Sequence, residues 1–203
     1  MMPLHLGGQR IGRLYRGAVP IARACRGATK LFDRTHLPAI VFTDTLNADT
    51  GGGWNGWTVR QVLPASLLAV PDFSPSEIRI AGQGAAAEGF HFANWHVGNR
   101  AVSGSPWHAA ALFPILWGGN ANGTIPQSGS LVSDWASFSW DQESDLVFSV
   151  YCNGAGDTMR QNSVSAAGSN YYYRNANEAS AAAPNGYTTQ PDRRVMIAAI
   201  EMK

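Results

Sequence analysis

Charge is scarce in this chain of 203 residues: Asp, Glu, Lys and Arg together make up 14%, about half the usual share of a soluble domain. Helices with ion-paired solvent faces need more, so the composition argues against a helical architecture. Long hydrophobic runs are missing too, and no stretch approaches the roughly 20 apolar residues of a transmembrane helix. The N-terminus holds glycines and arginines where a secretory signal would keep its hydrophobic stretch, which points away from the general export route. A chain of this kind acting outside a cell would leave in a particle released by lysis. Cysteine is limited to Cys25 and Cys152, too few and too far apart for a disulfide framework or a zinc site. Cys152 closes an apolar stretch and reads as a small buried hydrophobe, a Cys25–Cys152 bridge being the alternative. No serine stands in a Gly-x-Ser-x-Gly elbow, and Ser103-Gly-Ser105 and Ser128-Gly-Ser130 read as turns.

What the chain does hold is glycine, 22 residues of it, and a succession of short apolar runs bounded by Gly, Pro, Asn or Ser. These are Ala39–Thr43, Trp57–Leu63, Glu77–Ala81, Phe90–Val97, Leu112–Trp117, Ser130–Val132, Ala136–Trp140, Asp145–Cys152 and Arg193–Met202. Their spacing predicts an all-β chain with a jelly-roll-like β-sandwich over residues 37–203, and a short turn of helix within residues 65–70. Leu146, Phe148, Val150 and Cys152 alternate with Val147, Ser149 and Tyr151, so the first set is expected to face the core. Both faces of Val195–Ile200 are apolar, as expected of a central strand covered on both sides. That last strand is expected to close a sheet, so that truncating it unfolds the domain.

Residues 1–36 read as a separate β-meander arm. Ile11-Gly-Arg-Leu-Tyr-Arg-Gly-Ala-Val-Pro20 is followed at once by Ile21-Ala-Arg-Ala-Cys-Arg-Gly-Ala-Thr-Lys30, with five of the ten positions identical. Each unit reads as a short strand closed by an Arg-Gly turn, because glycine takes the positive φ of a tight reversal without steric cost. A meander this small is marginal alone in water, which predicts docking on another surface. The arm carries seven Lys/Arg against Asp33, a charge of +6, while residues 37–203 carry eight against thirteen Asp/Glu, a charge of −5. Arg13, Tyr15, Arg16, Arg23 and Arg26 are therefore candidate contacts to an acidic protein partner. The same arginines would equally keep exposed strand edges from aggregating. No helix or aromatic platform accompanies them, so nucleic acid is not the expected partner.

His91, His96 and His108 raise the question of a metal site. On one continuous strand His91 and His96, an odd number apart, point to opposite faces, so no shared metal is expected. Asp141, Glu143 and Asp145 crowd into one polar loop, whereas glycosidase carboxylates face each other across a cleft. Neither a catalytic residue nor a cofactor is expected. Aromatics are better candidates, because sugar rings stack their C–H faces on Trp or Tyr while Asn, Gln, Asp and Arg bind the hydroxyls. Of the seven Trp, Trp57, Trp95, Trp117 and Trp140 lie on predicted strands and are expected in the core. Trp54 with Asn55, Trp107 with His108, and the run Tyr171, Tyr172, Tyr173, Arg174 and Asn175 are the candidate ligand contacts. A protein interface is the other use of such loop aromatics.

From about residue 57 to 152 runs an ordered set of short motifs: Trp57-Thr-Val-Arg-Gln61, Ile78-Arg-Ile80, Trp95-His-Val-Gly98, Trp117-Gly-Gly119, Thr124-Ile-Pro126, Val132-Ser-Asp134 and Ser144-Asp-Leu-Val-Phe-Ser149. The order resembles the non-catalytic β-sandwich domain that precedes the catalytic domain in some SGNH/GDSL-type hydrolases. The resemblance implies an accessory jelly roll of a kind associated with glycan binding; the Gly-Asp-Ser nucleophile block and its downstream Asp and His have no counterpart here. The N-terminal repeat, an aromatic-x-Gly unit followed by Ile or Val, is similar to the opening segments of many tailed-phage and gene-transfer-agent virion proteins. Together the two imply a non-enzymatic virion spike, fibre or tail component, assembled in the host cytoplasm and acting extracellularly. Such a protein would be a homo-oligomer, trimer or ring, contacting other virion proteins and host polysaccharide without entering a membrane. The alternatives are a free carbohydrate-binding module whose N-terminal strands complete its own sheet, and an esterase-type hydrolase.

Overall fold

The structure, a computed structural model, describes residues 37–154, 157–162 and 168–203 in full, and of residues 1–36 the backbone of six strands. The chain divides into two compact units, Met1–Pro38 with Lys203, and Ala39–Met202.

The N-terminal strands are β1 (Leu4–Leu6), β2 (Gln9–Ile11), β3 (Tyr15–Arg16), β4 (Val19–Pro20), β5 (Arg23–Arg26) and β6 (Thr29–Asp33). They pair antiparallel as β1–β2, β3–β4 and β5–β6, three two-stranded sheets with two residues between the partners each time. The sequence suggested one strand per ten-residue unit in a running meander; among the described residues each strand instead pairs within its own hairpin. Two short runs flanking a glycine satisfy each other's backbone groups locally, so the repeat length is that of a hairpin. Arg13 and the side chains of Tyr15, Arg16, Arg23, Cys25 and Arg26 lie outside the described residues.

The second unit contains β7 (Ala39–Thr43), β8 (Ala48–Asp49), β9 (Thr58–Leu63), β10 (Glu77–Gln83), β11 (Phe90–Asn99), β12 (Phe113–Ile115) and β13 (Asn122–Ile125). It continues with β14 (Ser130–Val132), β15 (Ala136–Ser137), β16 (Leu146–Cys152), β17 (Arg160–Gln161), β18 (Asn170–Arg174), β19 (Thr188–Gln190) and β20 (Ile197–Met202), and has a 3-10 turn at Ala65–Leu67. One sheet runs β14-β10-β20-β7, with β15 also on β10. The other runs β12-β11-β16-β9-β18-β19, with β13 also on β11. Every pair in both sheets is antiparallel. A two-stranded ribbon, β8–β17, stands beside them. Val41, Ile78, Ile80, Ile200 and Met202 of the first sheet share one core with Val59, Phe90, Phe92, Trp95, Val97, Leu146, Phe148 and Val150 of the second. The protein is therefore an all-β sandwich.

Two expectations about burial change. In β20 only Ile197, Ile200 and Met202 are buried, while Ala198, Ala199 and Glu201 are partly exposed. Alanine adds too little apolar area to require cover, and Glu201 pairs with Arg79 of β10 at 2.7 Å on the solvent side. In β16, by contrast, Val147 and Ser149 are as buried as the core-facing residues. The segments 100–112 and 176–187 lie over that outer face, where Val62, Ala109, Val147, Tyr172 and Tyr187 make a second apolar cluster with Trp107 and Leu112.

Candidate functional site

Strand alternation on β18 sorts the tyrosines between two sites, Tyr171 and Tyr173 on one face and Tyr172 on the other. On the first face Trp54 meets Tyr173 edge-on at 5.2 Å between ring centroids, Trp57 at 6.0 Å and Tyr171 at 6.2 Å, and Trp57 meets Tyr173 at 5.6 Å. The indole Nε1 of Trp54 donates to Gly51 O at 2.8 Å and Thr50 Oγ1 at 3.0 Å, which holds the ring in place. Tyr171 is 5% exposed, and burial, with Tyr173 beside it, pushes its phenol up to about 12. It supports the cluster and presents no ligand surface. Trp54, Trp57 and Tyr173 keep part of their surface open, and Asn55 and Asn175 beside them are exposed. Trp57 was expected in the core; it precedes β9 at the end of the sheet and is only half-buried. The Asn175 carboxamide comes within 3.7 Å of the position a Cβ on Gly56 would take, so the two asparagine loops adjoin. Arg174 points elsewhere and pairs with Glu178 at 3.0 Å.

On the other face of β18, Trp107 packs on Tyr172 at 5.2 Å and on Tyr187 at 5.8 Å. Its Nε1 donates to Pro184 O at 2.9 Å. His108 accepts from Ser105 N–H through Nδ1 at 3.2 Å, so its Nε2 carries the proton donated to Pro184 O at 3.0 Å. Beneath them Arg60 is fully buried. Its guanidinium donates to the carbonyls of Trp107, Ala182, Glu178 and Ala181 and lies 5.6 Å from the Tyr187 ring centre. Burial lowers its pKa. With their polar ends engaged, Trp107, His108 and Tyr172 form a clamp over the second sheet. Trp107 and His108 stay partly exposed there, while Tyr172 is buried.

The histidines also differ from expectation. The register of β11 against β16 shifts between Ala93 and His96, and Asn94 sits at φ 56. Phe90 and Phe92, then Trp95 and Val97, all reach the core. The bulge changes the phase by one residue, so His91 and His96 share the outer face. Among the described residues no three His, Cys, Asp or Glu side chains come together as a metal site. Burial depresses the His96 pKa, and the Arg60 charge adds to this against a hydrogen bond to Asn94 O.

Sequence reasoning passed over Asp157. Its side chain is 1% exposed, and Oδ1 lies 2.9 Å from Nδ1 of His91, whose own side chain is 51% exposed. The same carboxylate accepts from His91 N at 3.2 Å and Gly154 N at 2.8 Å, and Asp157 O accepts from Trp54 N at 3.3 Å. Beside His91 lies an open depression of about 320 Å³ lined by His91, Phe92, Asn122, Gly123, Thr124 and Asn153. No local motif links two residues this far apart in sequence. Elsewhere, the Asp141 carboxylate is held below the usual range: its burial alone would raise it, but Ser144 and the backbone amides of its own loop outweigh that. The Cys152 thiol is pushed well up by burial, and Asp157 adds to the shift, so it carries no reactive thiolate.

Neither the protein-family models nor the curated proteins searched give a match to this chain.

Proposed function

We propose that this chain is a non-enzymatic structural protein of a virion, a spike, fibre or tail component, anchored by its N-terminal hairpins and binding host surface polysaccharide through the sandwich. The observation that carries this reading is the partly open edge-to-face cluster of Trp54, Trp57 and Tyr173 with exposed Asn55 and Asn175 beside it. Rings fixed by their neighbours offer apolar faces to sugar C–H groups without losing rotamer freedom on binding, and carboxamides supply both donors and acceptors to hydroxyls. Such contacts are weak singly, and a trimer or ring would multiply them through effective concentration.

Two features of the fold support the same reading. Numbered in chain order, the framework strands β7, β9, β10, β11, β12/β13, β14/β15, β16 and β20 fall in the sheet orders 1-8-3-6 and 2-7-4-5, which supports reading the sandwich as a jelly roll. The N-terminal strands form sheets of their own, which favours an anchoring arm over a module whose first strands complete the sandwich. Removing one ring of the cluster with Trp54→Ala is expected to weaken retention on host polysaccharide about tenfold, from ~1.5 kcal/mol of aromatic contact. Unchanged retention by a folded Trp54→Ala chain would overturn the reading.

A further inference from the structure

We infer that the depression beside His91 is a second carbohydrate contact, one that reads the hydroxyls of a neutral sugar through Nε2 of His91 and the polar side chains around it. The inference rests on the polysaccharide-binding reading and adds a site that the aromatic cluster does not include.

Strand register assembles it. His91 on β11 stands opposite Thr124 on β13, and Ala93 stands opposite both Asn122 of β13 and Tyr151 of β16. Directly opposed residues share a face of the sheet, and Phe90 and Phe92 take the inner face, so Thr124, His91 and Asn122 all lie on the outer one. Asn153, whose N–H approaches His91 O at 3.4 Å, borders the depression from the end of β16.

The chemistry of the lining selects the ligand. A carboxylate only accepts, so Nδ1 of His91 carries the proton donated to Asp157, and Nε2 is the ring nitrogen left for a ligand hydroxyl. Asn122, Asn153 and Thr124 add both donors and acceptors. No Lys or Arg lines the depression, which leaves an anionic ligand uncompensated, and no carboxylate side chain lines it to attract a cation. The volume of about 320 Å³ is at the lower end for small-molecule sites, the scale of a sugar unit.

The imidazole is held in place. Asp157 is buried and its carboxylate takes three N–H donors, and a Cβ on Gly154 would stand 2.5 Å from both Asp157 Oδ1 and His91 Nδ1. Residue 154 must be glycine for this pair to form. Through its carbonyl, Asp157 also holds the backbone of Trp54, so one residue supports both the aromatic cluster and the depression.

The test is a titration of the full chain with glucose, galactose, mannose, rhamnose and N-acetylglucosamine, followed by NMR of the imidazole and side-chain amides. With at least one sugar, the signals of His91, Asn122 and Asn153 should move on one isotherm. His91→Ala and Asn153→Ala should each weaken that binding at least tenfold while the remaining amide spectrum stays native. Gly154→Ala should do the same by displacing the His91 ring. Shifts with no sugar, or only away from these residues, overturn the inference. Host polysaccharide retained by His91→Ala but lost by Trp54→Ala also overturns it and leaves the aromatic reading standing. Polysaccharide retained by neither the native chain nor any variant overturns both.

Discussion

Arg60 and His96 show how much of the chemistry of the second sheet is spent inside the molecule. The Arg60 guanidinium makes its hydrogen bonds to carbonyls of Trp107, Glu178, Ala181 and Ala182, so it acts as a planar fork that fastens two covering segments. From sequence, an arginine inside Thr58–Leu63 reads as the polar side of a half-buried strand; its actual role depends on residues 47 to 122 positions away. The charge is felt at His96, whose pKa is lowered first by burial and then by Arg60. The neutral ring is therefore favoured in the folded state. The resulting stability is fully present above the unfolded value near 6.5 and is lost as pH falls below it toward the lower folded value. Thermal melts between about pH 7 and pH 5 should show a loss of stability that is smaller in His96→Gln than in the native chain. Equal losses in both would remove His96 as the cause.

Among the elements, β11 departs most usefully from strict alternation. Asn94 at φ 56 takes the left-handed region that asparagine tolerates better than most residues. Its N–H donates to Ala121 O at 3.0 Å, while the bulge moves His96 to the same face as His91. Asn94→Val should cost about 1–2 kcal/mol in urea unfolding, because a β-branched side chain is strained at that φ, whereas Asn94→Gly should be close to neutral. Equal effects of the two would mean that the backbone relaxes out of the bulge. The alternation of Phe90 with Phe92, and of Trp95 with Val97, was visible in the sequence, but the phase change between them was not. It took pairing with β16 on one side and β13 on the other to fix where the extra residue went. On β16 the covering segments 100–112 and 176–187 bury an outer face that reads as half-polar.

At the scale of the whole molecule, the sheets of the sandwich are built from residues 39–202 and those of the arm from residues 4–33. β20 lies between β10 and β7, so a chain ending at Val195 would strand β7 and expose two edges of unpaired backbone. It should fail to fold, as judged by loss of near-ultraviolet circular dichroism. A chain lacking residues 1–36 should keep the melting temperature of the sandwich to within about 2 °C and, on the proposed virion role, no longer enter particles. Normal assembly without the arm would end its anchoring role, and a large drop in melting temperature would mean that the arm belongs to the sandwich.

The β class, the short 3-10 turn and most framework strands were legible in the sequence, because turn residues and period-2 patterning act over a few positions. Of the residues singled out from the sequence, Trp54 and Tyr173 meet edge-on, and Asn55 and Asn175 next to them in the chain are exposed. Which aromatics stay open and which become supports was decided only in the tertiary structure, where Tyr171 is buried beside Trp54 and Trp107, His108 and Tyr172 close over Arg60. The pairing of His91 with Asp157 was likewise beyond the sequence. Burial and long-range hydrogen bonds depend on which segments meet across the sheets, and local sequence spacing does not encode that.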